Sequence, residues 1–247
     1  MSPPRLYLPE PLAEGAILRV SEKPAHYLLH VLRLGPGAEV RLFNGESGEF
    51  SATLQDRSKH GATLRVGGRT KAASPMAELT LVFAPLKRGP TDLVIEKATE
   101  LGVSAIQPVF TAFTVAETVR LERWEAIARE AAEQCERLSV PQLLEPQPLP
   151  RLLGEWPAAK RLLVADARAE GLASPAEALA DDPPAAALLI GPEGGFEPRE
   201  AQALSAHPAA RGITLGPRVL RAETAVIAGL ALVQAVWGDR RGAGSLC

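Results

Sequence analysis

Cysteine is almost missing from this 247-residue chain. Only Cys135 and Cys247 are present, too few for a disulfide framework or a cysteine zinc site, and the usage fits a reducing, cytoplasmic compartment. The four histidines (His26, His30, His60 and His207) show no ligand spacing with those cysteines or with the acids, so no metal site is expected. No apolar run approaches the roughly 18 residues of a membrane span, and the opening MSPPRLYLPEPL lacks the basic-then-apolar order of a signal peptide. Aromatic residues make up 4%, leaving little for recognition by stacking. Ser205-Ala206-His207 has no nucleophile-elbow context, so a serine-histidine hydrolase is not indicated. An excess of one charge sign is also missing: 27 Lys and Arg stand against 29 Asp and Glu.

What is present is 46% hydrophobic residues, enough for a substantial buried core, and an uneven division of charge. Residues 1–71 hold ten basic and seven acidic side chains, a net +3, and leave −5 for the rest. A mildly basic region joined to an acidic one is compatible with nucleic-acid docking through the first. That first region also reads as short strands. EVRLFNGESGEFSATLQ places β-like runs around Asn44-Gly45 and Ser47-Gly48, and ATLRVGG follows. One helical pattern precedes them, with His26, Leu29 and Leu32-Arg33 at helical spacing before Gly35-Pro36-Gly37. Strands so spaced predict a small β-barrel over 1–72, and the small, proline-containing stretch 73–77 reads as a linker.

From 78 to 247 the pattern becomes strand then helix, repeatedly. ELTLVFAP, VSAIQPVF, RLLVADA, AALLIG and ITLG read as strands. TDLVIEKATEL, LERWEAIAREAAEQCERL and ETAVIAGLALVQAVW read as helices, the first ended by Gly102. The nearly all-apolar strands suit a parallel sheet covered on both faces, so the expectation is a doubly wound α/β domain. The last helix has almost no polar face. It is expected to be buried all round, either under a longer insert or between the sheet and a partner subunit.

Two loops follow apolar strands and precede helices: LLIGPEGGF (188–196), with Pro198 at an expected first helical turn, and LGPRVLRAET (215–224). Open α/β sheets bind ligands beyond the carboxyl ends of their strands. GPEGG is neither a Walker loop nor a dinucleotide fingerprint, and Glu193 disfavours a polyphosphate. An unphosphorylated nucleoside with a positive centre suits it, S-adenosylmethionine among them. The same glycines would equally serve a tight strand-to-helix turn.

The set LIGPEGG, LGPRVLRAETA, IEKATELGV with Pro108 beyond it, and EQCERLSVP closely resembles the bacterial 16S ribosomal RNA (uracil-N3)-methyltransferases. RLYLPEPL and HYLLHVLRLGPGAEVRLFNG resemble that family's N-terminal module, so the likeness runs along nearly the whole chain. It implies a PUA-like RNA-binding β-barrel followed by a SPOUT α/β domain with a deep C-terminal trefoil knot, a homodimer, and methylation of one uridine in the small ribosomal subunit. S-adenosylmethionine would be held by Val164, Ala165, Ile190, Gly191, Gly194, Gly195, Leu215, Gly216, Val219, Leu220 and Arg221. Arg221, with Arg218 as a second candidate, would stabilise charge on the uracil, and Glu223 or Glu193 would accept the proton or orient an arginine. Arg5, His26, Arg33, Lys87, Arg88 and Arg137 are the candidate phosphate contacts. Three other readings stand beside this one. They are a SPOUT methyltransferase for another RNA or base, a non-catalytic RNA-binding module, and a nucleotide-dependent oxidoreductase, the last lacking its fingerprint.

Overall fold

The computed structural model describes residues 3–20, 22–58, 61–116, 118–166 and 171–238; His60 and Cys247 fall outside them. The chain divides into two compact units. The first comprises Met1–Ser74 with Ala132–Val140, and the second Pro75–Ala131 with Pro141–Cys247.

The first unit is built on β1 (Arg5–Tyr7), β2 (Ile17–Val20), α1 (Glu22–His26), β3 (Glu39–Asn44), β4 (Gly48–Ser58) and β5 (Gly61–Lys71). Its sheet runs β1-β3-β4-β5-β2, with β1 parallel to β3 and the other pairs antiparallel. Alternation along the strands sends Val40, Leu42, Ala52, Leu54, Leu64 and Val66 into one core, closed by Leu28. Register shifts along β4 bend the sheet around that core. The β3–β4 turn is fixed by buried Asn44. Its Oδ1 accepts from the Glu46 and Ser47 amides, and its Nδ2 donates to the Leu8 and Glu10 carbonyls. The helical pattern at His26–Leu32 becomes the end of α1 and a π-helical turn, Tyr27–Val31. Residues 132–140, which strand-helix alternation assigns to the second region, belong to the first unit.

The second unit contains, in chain order, β6 (Glu78–Phe83), α2 (Arg88–Glu100), β7 (Ala105–Phe110), α3 (Leu121–Gln134), β8 (Gln142–Leu143), β9 (Gln147–Pro148), α4 (Leu149–Gly154), β10 (Lys160–Ala165), α5 (Pro175–Ala178), β11 (Ala185–Ile190), α6 (Pro198–Ala206), β12 (Ala210–Ile213) and α7 (Ala222–Val233). The parallel sheet is ordered β12-β10-β11-β6-β7-β8, and β9 also pairs with β7. Every residue of central β11 is buried, as its wholly apolar sequence AAALLI requires. Gly102, at φ +80°, ends α2.

Two expectations change here. The strand expected at ITLG ends at Ile213, because Thr214 Oγ1 accepts the Gly216 amide in a local turn. Helix α7 packs on β11 and α2, yet within the chain it is not buried all round: Leu232 is 43% exposed. Among the described residues no helix is long and apolar enough to cross a membrane.

Candidate active site

At the carboxyl ends of β10, β11 and β12 lies a cavity of about 280 Å³. Strand order explains its place. The chain passes inward from β10 to β11, then outward past β10 to β12, and such a switch point leaves a crevice beyond the strand ends.

Three segments form the walls: Ala165-Asp166 at the end of β10, residues 190–193 with Gly195 and Phe196 at the end of β11, and residues 213–220 at the end of β12, with Ala222 and Ala225 of α7 closing one side. In the middle segment the Gly195 amide donates to the Pro192 carbonyl at 2.8 Å, which makes a tight turn with Glu193 and Gly194 at its corners. Phe196 folds back beneath this turn. A Cβ on Gly191 would lie 2.8 Å from the Phe196 ring, so only glycine lets ring and backbone approach so closely. In the third segment Gly216 sits at φ +104°, in the left-handed region that favours glycine.

Of the residues expected to hold a cofactor, Ala165, Ile190, Gly191, Gly195, Leu215, Gly216, Val219 and Leu220 line this one cavity, as do Glu193 and Arg218. Val219 is 86% exposed, a large apolar side chain left at the mouth. Three expected residues lie outside the lining. Val164 is buried in the core with Leu162 and Leu189, because alternation turns its side chain to the covered face of the sheet. Gly194 faces Phe113. Arg221 is the exposed N-cap residue of α7, with no side-chain capping bond.

Glu223 occupies the first turn of α7, where the helix dipole favours an anion. Its Oε2 is buried and has no hydrogen-bond partner. A carboxylate oxygen removed from water without a donor is costly, so a position like this one is suited to a group that arrives with its own proton or positive charge.

Asp166, Leu172, Phe196 and Thr214 also line the cavity and were not anticipated. Asp166 directly follows the end of β10, and Phe196 closes the loop GPEGGF that follows β11. Leu172 lies in a segment without periodicity, and nothing in the sequence signals it. Among the described residues no group of three or more His, Cys, Asp or Glu could hold a metal ion.

The expected phosphate contacts separate. The Arg5 side chain is 8% exposed, and all three of its nitrogens donate within the first unit, to Glu49 and to the carbonyls of Ala132, Glu133 and Arg137. Arg137, in the same unit, is half-buried and donates from Nε to Ser139, and burial pushes its guanidinium down to about 10, still charged at neutral pH. His26 is exposed with its ring 5.0 Å from that of His30, and Arg33 is exposed at φ 55°. In the second unit Lys87 is the N-cap of α2 and Arg88 its first residue, both exposed.

Comparison with known proteins agrees with this geometry. Residues 72–234 match the family described as RNA methyltransferase domain, and residues 21–67 the family described as RNA methyltransferase PUA domain. The chain belongs to the RNA methyltransferase family that these domains define. Its relatives include the ribosomal RNA small subunit methyltransferase E of Rickettsia conorii, 32% identical over 93% of this chain and 94% of that one. The structure of the Neisseria gonorrhoeae ribosomal RNA small subunit methyltransferase E bound to S-adenosyl methionine superposes with a TM-score of 0.84 at 32% identity, covering 96% of this chain and 99% of that one. A Legionella pneumophila methyltransferase in complex with the bound cofactor SAM gives 0.85 at 30% identity over 97% and 100%. The fold is thus that of the SPOUT-type RNA methyltransferases, with a PUA-like unit ahead of the α/β unit.

Proposed function

We propose that this chain transfers a methyl group from S-adenosylmethionine to N3 of one uridine in 16S ribosomal RNA of the small ribosomal subunit, acting in the cytoplasm. The observation that carries the reading is the single cavity at the ends of β10, β11 and β12, in a chain of RNA methyltransferase family whose relatives bind that cofactor.

The lining fits the cofactor. Apolar Ile190, Leu215 and Leu220 suit an adenine, and the glycine-rich backbone of 191–195 and 216 permits close approach with amides and carbonyls exposed to ligand. Glu193 and Asp166 place carboxylates on the wall, which opposes a polyphosphate and tolerates a sulfonium. When bound, S-adenosylmethionine supplies an electrophilic methyl group. The protein's own tasks are to hold the uracil in line with that methyl, to receive the N3 proton and to offset charge spreading onto the uracil oxygens. Exposed Arg221, beside the cavity, is assigned the charge role. Glu223, one turn-position further, is assigned the proton or the orientation of Arg221. The C-terminal knot and the homodimer belong to the same proposal, and the exposed Leu232 of α7 supports a partner surface.

Variants test the roles. Arg221→Ala should lower kcat with small subunits by about 10²–10³ while the Kd for S-adenosylmethionine stays within threefold. Wild-type turnover would remove Arg221 from the chemistry. Glu223→Gln should lower kcat by about 10²–10⁴ with little change in the Kd for S-adenosylmethionine. Wild-type turnover would reassign the proton acceptor.

A further inference from the structure

The second unit has another cavity, of about 300 Å³, lined by residues 85–88, Thr91, Asp92, Ala116, Thr118, Arg120, Arg123 and Trp124. Its charge is one-sided. Arg123 is committed to Asp92 through two hydrogen bonds, Nε to Oδ1 at 3.0 Å and Nη2 to Oδ2 at 2.6 Å. That pair uses the only acid among the described lining residues. The side chains of Lys87, Arg88 and Arg120 remain, all exposed and with no side-chain hydrogen bond or salt bridge to another described residue, so that one carboxylate, Asp92, faces Arg88 as well as Arg123 and leaves the wall in cationic excess. The first turn of α2, which forms one wall, contains no acid to offset them. Three cations gathered on one concave surface repel each other unless an anion joins them.

The position says which anion. Phe83 of β6 is in register with Ile190 of β11, and the Ala84 amide donates to the Ile190 carbonyl at 3.1 Å. Ile190 lines the first cavity, and Pro85, next to Ala84, lines the second. Both cavities therefore open at the same edge of one sheet, on strands about 4.8 Å apart. An RNA strand that presents a base at the first cavity carries its neighbouring phosphates past the second.

We propose that Lys87, Arg88 and Arg120 form a phosphodiester-binding subsite for the RNA substrate in this second cavity, an inference that rests on the RNA-methylation reading above. The subsite holds the strand by charge and leaves base selection to the first cavity.

The test uses the full chain and a single-stranded, uridine-containing RNA, with affinity measured as a function of salt. The triple variant Lys87→Gln, Arg88→Gln, Arg120→Gln should flatten the slope of log K against log salt by about 2, at about 0.7 per phosphate for single strands. The Kd for S-adenosylmethionine should be unchanged, and Arg151→Gln, at an exposed ion pair outside the cavity, should keep the wild-type slope. An unchanged slope in the triple variant overturns the subsite. If inorganic phosphate raises the Tm of the wild type but not of the triple variant, while the RNA slopes coincide, the cavity holds a free anion and the RNA assignment is wrong. If the slope falls but no 16S methylation is found, the subsite stands and the target assignment fails alone.

Discussion

At Arg5 a charge is held out of water and tied at every nitrogen. Nε donates to Glu49 at 2.8 Å, Nη1 to the Ala132 and Glu133 carbonyls, and Nη2 to the Arg137 carbonyl, while the guanidinium lies 4.0 Å from the centre of the Phe43 ring. The carbonyls of 132 and 133 belong to the last turn of α3, where the helix leaves acceptors unsatisfied and its dipole is negative. Glu49 is itself 5% exposed and receives a further bond from Thr70. Arg5→Met strands that carboxylate, so urea unfolding should show a loss of about 3–5 kcal/mol. Adding Glu49→Leu should restore most of it, since two apolar groups leave no buried charge. A loss under about 1 kcal/mol for the single variant, in the range of a surface pair, would contradict the account. Sequence alone gives no means to separate this arginine from a solvated one. The partners that bury it lie about 44 and 130 positions away, and no local pattern records them.

Among the elements, the turn between β11 and α6 depends on Gly191. Gly191→Ala drives a methyl into the Phe196 ring, and overpacking of this kind costs about 1–3 kcal/mol. Calorimetry should show a lower Tm and weaker S-adenosylmethionine binding together; a normal Tm with normal binding would mean the ring moves freely. The Asp92–Arg123 pair ties α2 to α3, and the hydrogen bond from Arg123 holds the Asp92 carboxyl below its ordinary value of 3.8. A lowered folded pKa stabilises above the unfolded value and is lost as pH falls through the folded one. The Tm gap between wild type and Asp92→Asn should therefore be present at pH 6 and close below about pH 4, and stay under about 1 kcal/mol because the pair is exposed. A gap that does not narrow at all as the pH falls from 6 through 4 and below would refute the ion-pair origin. These elements were legible unequally. Long apolar runs announce β6, β7, β10 and β11, and helical periodicity announces α2, α3 and α7, whereas the short α5 after β10 carries no such signal. Strands of two to four residues, β1, β2, β8 and β9, are too short for a period to show. Much of the first cavity was legible, because strand ends and glycine loops coincide in sequence. Leu172 was not, since only the folded chain brings it there.

For the whole molecule, charge is distributed unevenly along the chain. Residues 1–71 carry a net +3, with His26 and Arg33 exposed, and the remainder carries −5, with Lys87, Arg88 and Arg120 gathered on one cavity wall. Patterning could give the alternation of strand and helix in the second unit. It could not give strand order, which depends on where long crossovers land, nor the return of residues 132–140 to the first unit, where Arg5 binds the end of α3. The most direct test of the account is methyl transfer from labelled S-adenosylmethionine to small ribosomal subunits that lack the modification, followed by mapping of the labelled base. The account predicts label at N3 of a single 16S uridine. Label on another base or another RNA, or tight cofactor binding with no transfer to these subunits, would contradict it.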